Sequence, residues 1–240
     1  MPRKTTPRFP EAGLQFLSSL QRHNDREWFI PRKPVYEESV RAPMVELVEA
    51  LGERFADFAP EVVASPRTSL YRIYRDTRFS KDKSPYKTHV AAVFPVRGIE
   101  KHNGAAFYFH ISPTELLVGG GLYRPLPDEL LALRLHIAGN HESLERIVAN
   151  RSFRRLFGSV QGEQLTRVPR GFATNHPAAN YLRYKQFLAS RQLQAEQATT
   201  ARFVDLLARS FETLHPLISF LNEPILARRK AKSVETALLR

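Results

Sequence analysis

Between Ser69 and Gly120 the chain alternates stretches rich in aromatic and branched residues with connections that carry no helical pattern, and this restricts the fold more than any other feature. The candidate strands are Ser69–Tyr74, His89–Val96, Ala105–Ser112 and Glu115–Gly120, with Gly98, Asn103-Gly104 and Pro113 as turn formers between them. Parallel neighbours need a crossover of a dozen or more residues, usually a helix, so the short connections after Val96, and a loop without helical pattern before His89, predict antiparallel pairing. Helical spacing brackets the segment. Phe16, Leu17 and Leu20 predict a first short helix, and Asn24 with Glu27 has capping-box spacing ahead of Trp28-Phe29. From Val35 to Phe58 the apolar residues Met44, Leu47, Val48, Leu51 and Phe55 recur at helical intervals, with Pro43 marking a kink or a second start.

Beyond the sheet, Pro127-Asp128 opens a helical run through Leu133 and Ile137 to Gly139-Asn140, and Ser143–Val148 begins another. Phe203, Leu207, Phe211, Leu214 and Leu221 predict a last helix, broken or bent at Pro216. A short strand is expected at Gln164–Val168 and a helix at Tyr181–Tyr184, while Phe187–Leu193 fits either state. The expected class is α+β: an antiparallel sheet of about four or more strands in the middle of the chain, covered by N-terminal and C-terminal helices.

The 240 residues, 42% hydrophobic, suffice for a substantial core. No glycine- or serine-rich linker, repeat or low-complexity run divides them, so the expected organisation is a single α+β domain over residues 11–223 between basic tails at 1–10 and 224–240. The absence of cysteine excludes disulfides, thiol catalysis and cysteine-bound zinc. No stretch of eighteen apolar residues and no apolar signal core occurs, which predicts a cytoplasmic protein without a membrane partner.

The net charge of +12 is concentrated in three places. Residues 67–89, RTSLYRIYRDTRFSKDKSPYKTH, carry seven cations against two aspartates; the first ten residues and the segment from Pro224 to Arg240 hold the rest. Such local basicity points to a basic cleft that binds a phosphorylated or polyanionic ligand, either a nucleotide-like molecule or a nucleic-acid segment. Arginine forks match phosphate or carboxylate oxygens two at a time, and lysine adds a mobile point charge. The candidate anion-binding residues in this motif are Arg72, Arg75, Arg78, Lys83 and Lys87, with Tyr86 offering a hydroxyl or a stacking face and Asp76 orienting the arginines. The competing expectation is structural: Asp76 with Arg75 or Arg78, and Asp82 with Lys81 or Lys83, as ion pairs in a long loop.

The run RIYRDTRFSKDKSPYKTH from Arg72 to His89 resembles the signature of a conserved family known as domain of unknown function 2461. Asn24–Phe29, Gly119–Tyr123, Gly171-Phe172, His176–Ala178, Lys185 and Ser190-Arg191 are similar to it as well. The resemblance runs from about Phe16 to Asn222 and implies no particular activity and no catalytic residue.

Three further groups bear on chemistry. Gly119-Gly-Gly121 could let a ligand approach bare backbone, with Arg124 touching a phosphate, or let a neighbour such as Trp28 pack closely; neither a Walker pattern nor G-x-G-x-x-G is present. No short metal-ligand pair occurs among the histidines, so a metal site would require distant residues such as His89, His110 and Asp76, and none is expected; nor is a cofactor. His89 beside Lys87 suits a neutral general base, so His89 and Asp76 are the catalytic candidates if the protein is an enzyme acting on a phosphate or carboxylate substrate. Lys185, one turn from Tyr181, extends the anion-binding set. A serine nucleophile has no motif here, and docking onto an acidic protein surface is the remaining alternative.

Overall fold

The computed structural model describes residues 6–238, with side chains to 231; Arg3, Lys4 and Arg240 of the basic ends lie outside the described residues. Four strands, β1 (Val90–Pro95), β2 (Ala106–Ile111), β3 (Leu116–Leu122) and β4 (Phe187–Leu193), form one antiparallel sheet in the order β1-β2-β3-β4. Helices precede and follow it, so the architecture is the α+β class expected from the sequence. Phe187–Leu193, which fits helix or strand, is the fourth strand. Among the described residues no helix is long and apolar enough to cross a membrane.

The chain divides into two compact units. Met1–Phe94, Tyr108–Val118 and Gln192–Ser210 make the first; Pro95–Phe107, Gly119–Arg191 and Phe211–Arg240 make the second.

The first unit begins with Phe9, fully buried, whose N–H donates to the Ala198 carbonyl at 2.9 Å, so the chain is anchored within the expected N-terminal tail. Helices α1 (Glu11–Arg22), α2 (Arg26–Phe29) and α3 (Lys33–Tyr36) follow. The N-cap of α2 is Asp25, which accepts from the Trp28 N–H at 2.7 Å; Asn24, which the capping-box spacing suggests, is engaged elsewhere. A π-helical turn, Glu37–Arg41, then leads into α4 (Ala42–Phe58). The Ala42 N–H reaches back five residues to Glu37, a wide turn that accommodates Pro43, which has no N–H to give and would crowd the carbonyl four residues earlier. Gly13 of α1 faces this turn: a Cβ there would strike the Ser39 carbonyl and the Phe9 ring. Phe55 of α4 meets Phe94 of β1 at 5.1 Å, and Phe94 and Phe203 flank Phe109 of β2. A short helix α5 (Pro66–Ser69) precedes the basic motif.

In the second unit lie α6 (Pro127–Gly139), α7 (His141–Ala149), α8 (Arg151–Phe157) and α9 (Ala179–Leu182). The last helix, α10 (Phe203–Leu238), starts in the first unit and continues through both Pro216 and Pro224 without a break. Much of the expected basic C-terminal tail is therefore helical. Arg228 pairs with Asp128, and Arg229 donates to the Gly98 carbonyl at 3.1 Å. Phe211 of α10 stacks on Phe107 at 4.9 Å. The expected strand at Gln164–Val168 is only a single bridge, Gln164 to Tyr184.

The triglycine of β3 is explained by strand packing. A Cβ on Gly119 would collide with Ala189 and Ser190, one on Gly120 with the Ala106 carbonyl, and one on Gly121 with the Phe187 carbonyl; Gly121 also has φ +133°. Neighbouring backbone occupies the space, not Trp28, whose ring lies with Phe16 and His23.

Candidate functional site

The basic motif is not the strand expected at Ser69–Tyr74. Ser69 closes α5, and the following residues pair with the chain ahead of β1 and with β1 itself as two isolated bridges, Leu70 with Ala92 and Tyr74 with Tyr86. Four steps on one side thus face six on the other, so two surplus residues between Tyr86 and Ala92 bulge out of register. His89 lies in that bulge. The geometry is fixed from the side by Asn24, whose amide accepts from the Tyr86 N–H and donates to the Tyr86 carbonyl, both at 3.0 Å.

Within the loop the aspartates are fasteners. Asp76 holds Arg78 through two parallel bonds, Nε to Oδ1 at 3.0 Å and Nη2 to Oδ2 at 2.8 Å, and also accepts from the Arg78 N–H. These bonds keep its carboxyl down at about 2. Asp82 accepts from the hydroxyl and N–H of Ser84 at 2.6 and 2.9 Å and pairs with Arg75, which lowers its carboxyl as well. Lys83 donates to the Thr77 carbonyl at 3.0 Å. Arg75, Arg78 and Lys83 are therefore engaged inside the loop, and Asp76 orients Arg78 while Asp82 orients Arg75. Tyr86 is a core residue rather than a ligand-facing hydroxyl: it is 3% exposed, with its ring stacked 4.1 Å from Phe29.

Of the five candidate cations in the motif, Arg72 and Lys87 differ. Arg72 is exposed and has no ion-pair partner among the described residues. The Lys87 ammonium donates to the Arg72 carbonyl at 2.9 Å and lies 5.3 Å from the centre of the Tyr71 ring. Burial, and then the charge of Arg72, lower the Lys87 pKa. Among the described residues no carboxylate is ion-paired with either, and Asp76, which Arg78 holds, feels the charge of Arg72 only weakly.

Next to it lies a polar chain that the sequence does not announce. Tyr108 and His110 share the half-buried face of β2, opposite Phe107, Phe109 and Ile111. The Tyr108 hydroxyl is 3.1 Å from His110 Nδ1, His110 Nε2 is 3.0 Å from Glu115 Oε1, and Gln192 donates to Glu115 Oε2 at 2.9 Å. The His89 ring is 5.1 Å from the His110 ring, and the Tyr71 ring 6.4 Å from the Tyr108 ring. Burial first, then His110 and Lys87, push His89 down to about 4 against the opposing pull of Glu115. His89 is thus neutral near pH 7. One signal was available in the sequence: Pro113 predicts a turn that folds Glu115 back towards His110.

The remaining candidates belong to the second unit. Arg124 lies over the Tyr123 ring at 5.1 Å, and Lys185 is 3.4 Å from Glu163. Two surface cavities are found there, of about 520 Å³ beside Glu145, Asn180, Tyr181 and Arg183 and of about 680 Å³ beside Arg146, Asn150 and Glu212; no motif residue lines either. Among the described residues no three of His, Asp and Glu are grouped to hold a metal ion.

The family of conserved hypothetical proteins defined as domain of unknown function 2461 matches residues 12–220. The chain belongs to that family. No curated protein matches it. The matched span includes the basic motif, the bulge at His89 and the Tyr108–Glu115 chain, while Phe9 and Asn222 fall outside it.

Proposed function

We propose that the surface around Arg72 and Lys87 binds a small phosphorylated ligand of nucleotide-like size. The observation that carries this is the pair itself: two adjacent cations, one of them half-buried, neither ion-paired to a carboxylate among the described residues. A bound phosphate offsets their mutual repulsion and accepts from both, the arginine supplying a fork and the lysine a point charge. The ion-paired loop from Arg75 to Ser84 stiffens the approach, and neutral His89 adds a hydrogen-bonding group without further repulsion.

Thermal melts in phosphate, sulfate and nucleoside monophosphate at constant ionic strength test the reading. An anion that binds only the folded protein raises Tm by mass action, with stabilisation of about 2.7 kcal/mol at a hundredfold excess over Kd. Arg72→Ala and Lys87→Ala should abolish the rise while the protein stays folded; Arg78→Ala, which breaks a loop fastener, should retain it. Identical melting in every anion would remove the site.

A nucleic-acid strand is the second reading, favoured by Phe79. This ring is 94% exposed at the tip of the loop with the Arg78 guanidinium 5.7 Å from its centre, and exposed aromatics among cations stack on bases. Oligonucleotide binding that falls steeply with salt and is weakened by Phe79→Ala would favour it over the small ligand.

A further inference from the structure

We propose that Tyr108, His110 and Glu115 form a nucleophilic relay that takes the phosphoryl group of a phosphomonoester onto the Tyr108 oxygen. The inference rests on the anion site at Arg72 and Lys87 and gives it a chemistry.

The direction of the hydrogen bonds supports it. A carboxylate oxygen only accepts, so the His110 Nε2 that faces Glu115 at 3.0 Å carries the proton. In the neutral ring Nδ1 is then a bare acceptor, and the Tyr108 hydroxyl at 3.1 Å donates to it. Glu115 is itself held by Gln192 at 2.9 Å, and the Ser112 turn fixes its backbone, with the Ser112 N–H donating to the Glu115 carbonyl at 2.9 Å. Nucleophile, base and orienting carboxylate therefore stand in the order that activates a weak hydroxyl. Lys87 is linked to the relay through one ring: its ammonium lies 5.3 Å from the centre of Tyr71, and Tyr71 meets Tyr108 edge to face.

In the first step the Tyr108 oxygen forms a bond to phosphorus as its proton passes to His110 Nδ1. The ester P–O bond breaks, and the departing alcohol oxygen takes that proton back from His110. In the second step water attacks the phosphotyrosine, its proton returns through His110 to the tyrosine oxygen, and inorganic phosphate leaves. No oxidant, reductant or further reactant is needed. Arg72 and Lys87 stabilise the charge on the transferring group.

The test uses the full chain with p-nitrophenyl phosphate and a nucleoside monophosphate, reading phosphate release, acid-quenched phosphotyrosine by mass spectrometry, and the Tm in phosphate. Wild type should turn over at least one ester and carry the adduct on Tyr108. Tyr108→Phe and His110→Asn should lower kcat by about 100-fold or more while keeping the phosphate-induced rise in Tm. Glu115→Gln, which preserves shape, should lower kcat with little change in KM. Release of phosphate from neither ester, or a Tyr108→Phe variant as fast as wild type, overturns the relay; if phosphate still raises Tm, the anion site survives that failure. Turnover that depends on Tyr108 but is indifferent to Arg72→Ala and Lys87→Ala keeps the relay and relocates the anion site.

Discussion

At the scale of single residues, His89 is where burial and charge act against each other most visibly. Its folded pKa of about 4 lies below the ordinary 6.5, so between these values the unfolded chain binds a proton that the folded chain does not. Stability from this residue is complete above 6.5 and is lost as pH falls towards 4. Burial is the largest cause of the shift; of the charged or titratable groups that face the ring, His110 and Lys87 add to it and Glu115 opposes it. The expected result is a Tm that declines across this window in wild type and a flatter profile in His89→Gln; parallel profiles would mean that His89 is solvated. The glycines make a second contrast. Gly121→Ala sets a Cβ against the Phe187 carbonyl at φ +133°, with an expected loss of about 2–4 kcal/mol in chemical denaturation. Gly139→Ala, at the end of α6 with nothing within 4 Å, should be neutral or gain up to about 1 kcal/mol.

Among the elements, two asparagines act as short pieces of strand. Asn24 closes a two-bond ring on Tyr86, and Asn222 does the same on Ala105, with both bonds at 2.8 Å and the side chain 1% exposed. Asn222→Ala leaves a buried N–H and carbonyl without partners, so a loss of about 2–5 kcal/mol is expected from urea denaturation. Asn24→Ala should cost less and instead speed hydrogen exchange at the Tyr86 amide. Neither clamp was legible, because each links residues 62 or 117 positions apart and asparagine has no periodicity to reveal a target. The sheet was legible where residues alternate, as in Phe107, Phe109 and Ile111 against Tyr108 and His110. Ser69–Tyr74 alternates as well, yet the bulge around His89 breaks its ladder to isolated bridges. At the site, sequence spacing left Asp76 equal claims on Arg75 and Arg78. The turn at Arg78 decides, folding its guanidinium onto Asp76 and leaving Arg75 to Asp82.

For the whole molecule, the 36 lysines and arginines are less available than their number suggests, since several are occupied within the fold, Arg78 by Asp76, Arg75 by Asp82 and Arg228 by Asp128 among them. Each strand also passes from one compact unit to the other: β2 changes between Phe107 and Tyr108, and β3 between Val118 and Gly119. We expect the fluorescence of Trp28, the sole tryptophan, and far-ultraviolet circular dichroism to report the same urea midpoint, because loss of the strands in one unit frays the other. Separate midpoints would show that the units melt independently. The interleaving has a consequence for inheritance. Each unit is assembled from three separated stretches of chain, so no single cut in the gene yields either one intact. Recombination can neither donate one unit to another protein nor replace it piecemeal, and the pair must pass through evolution as one indivisible cassette.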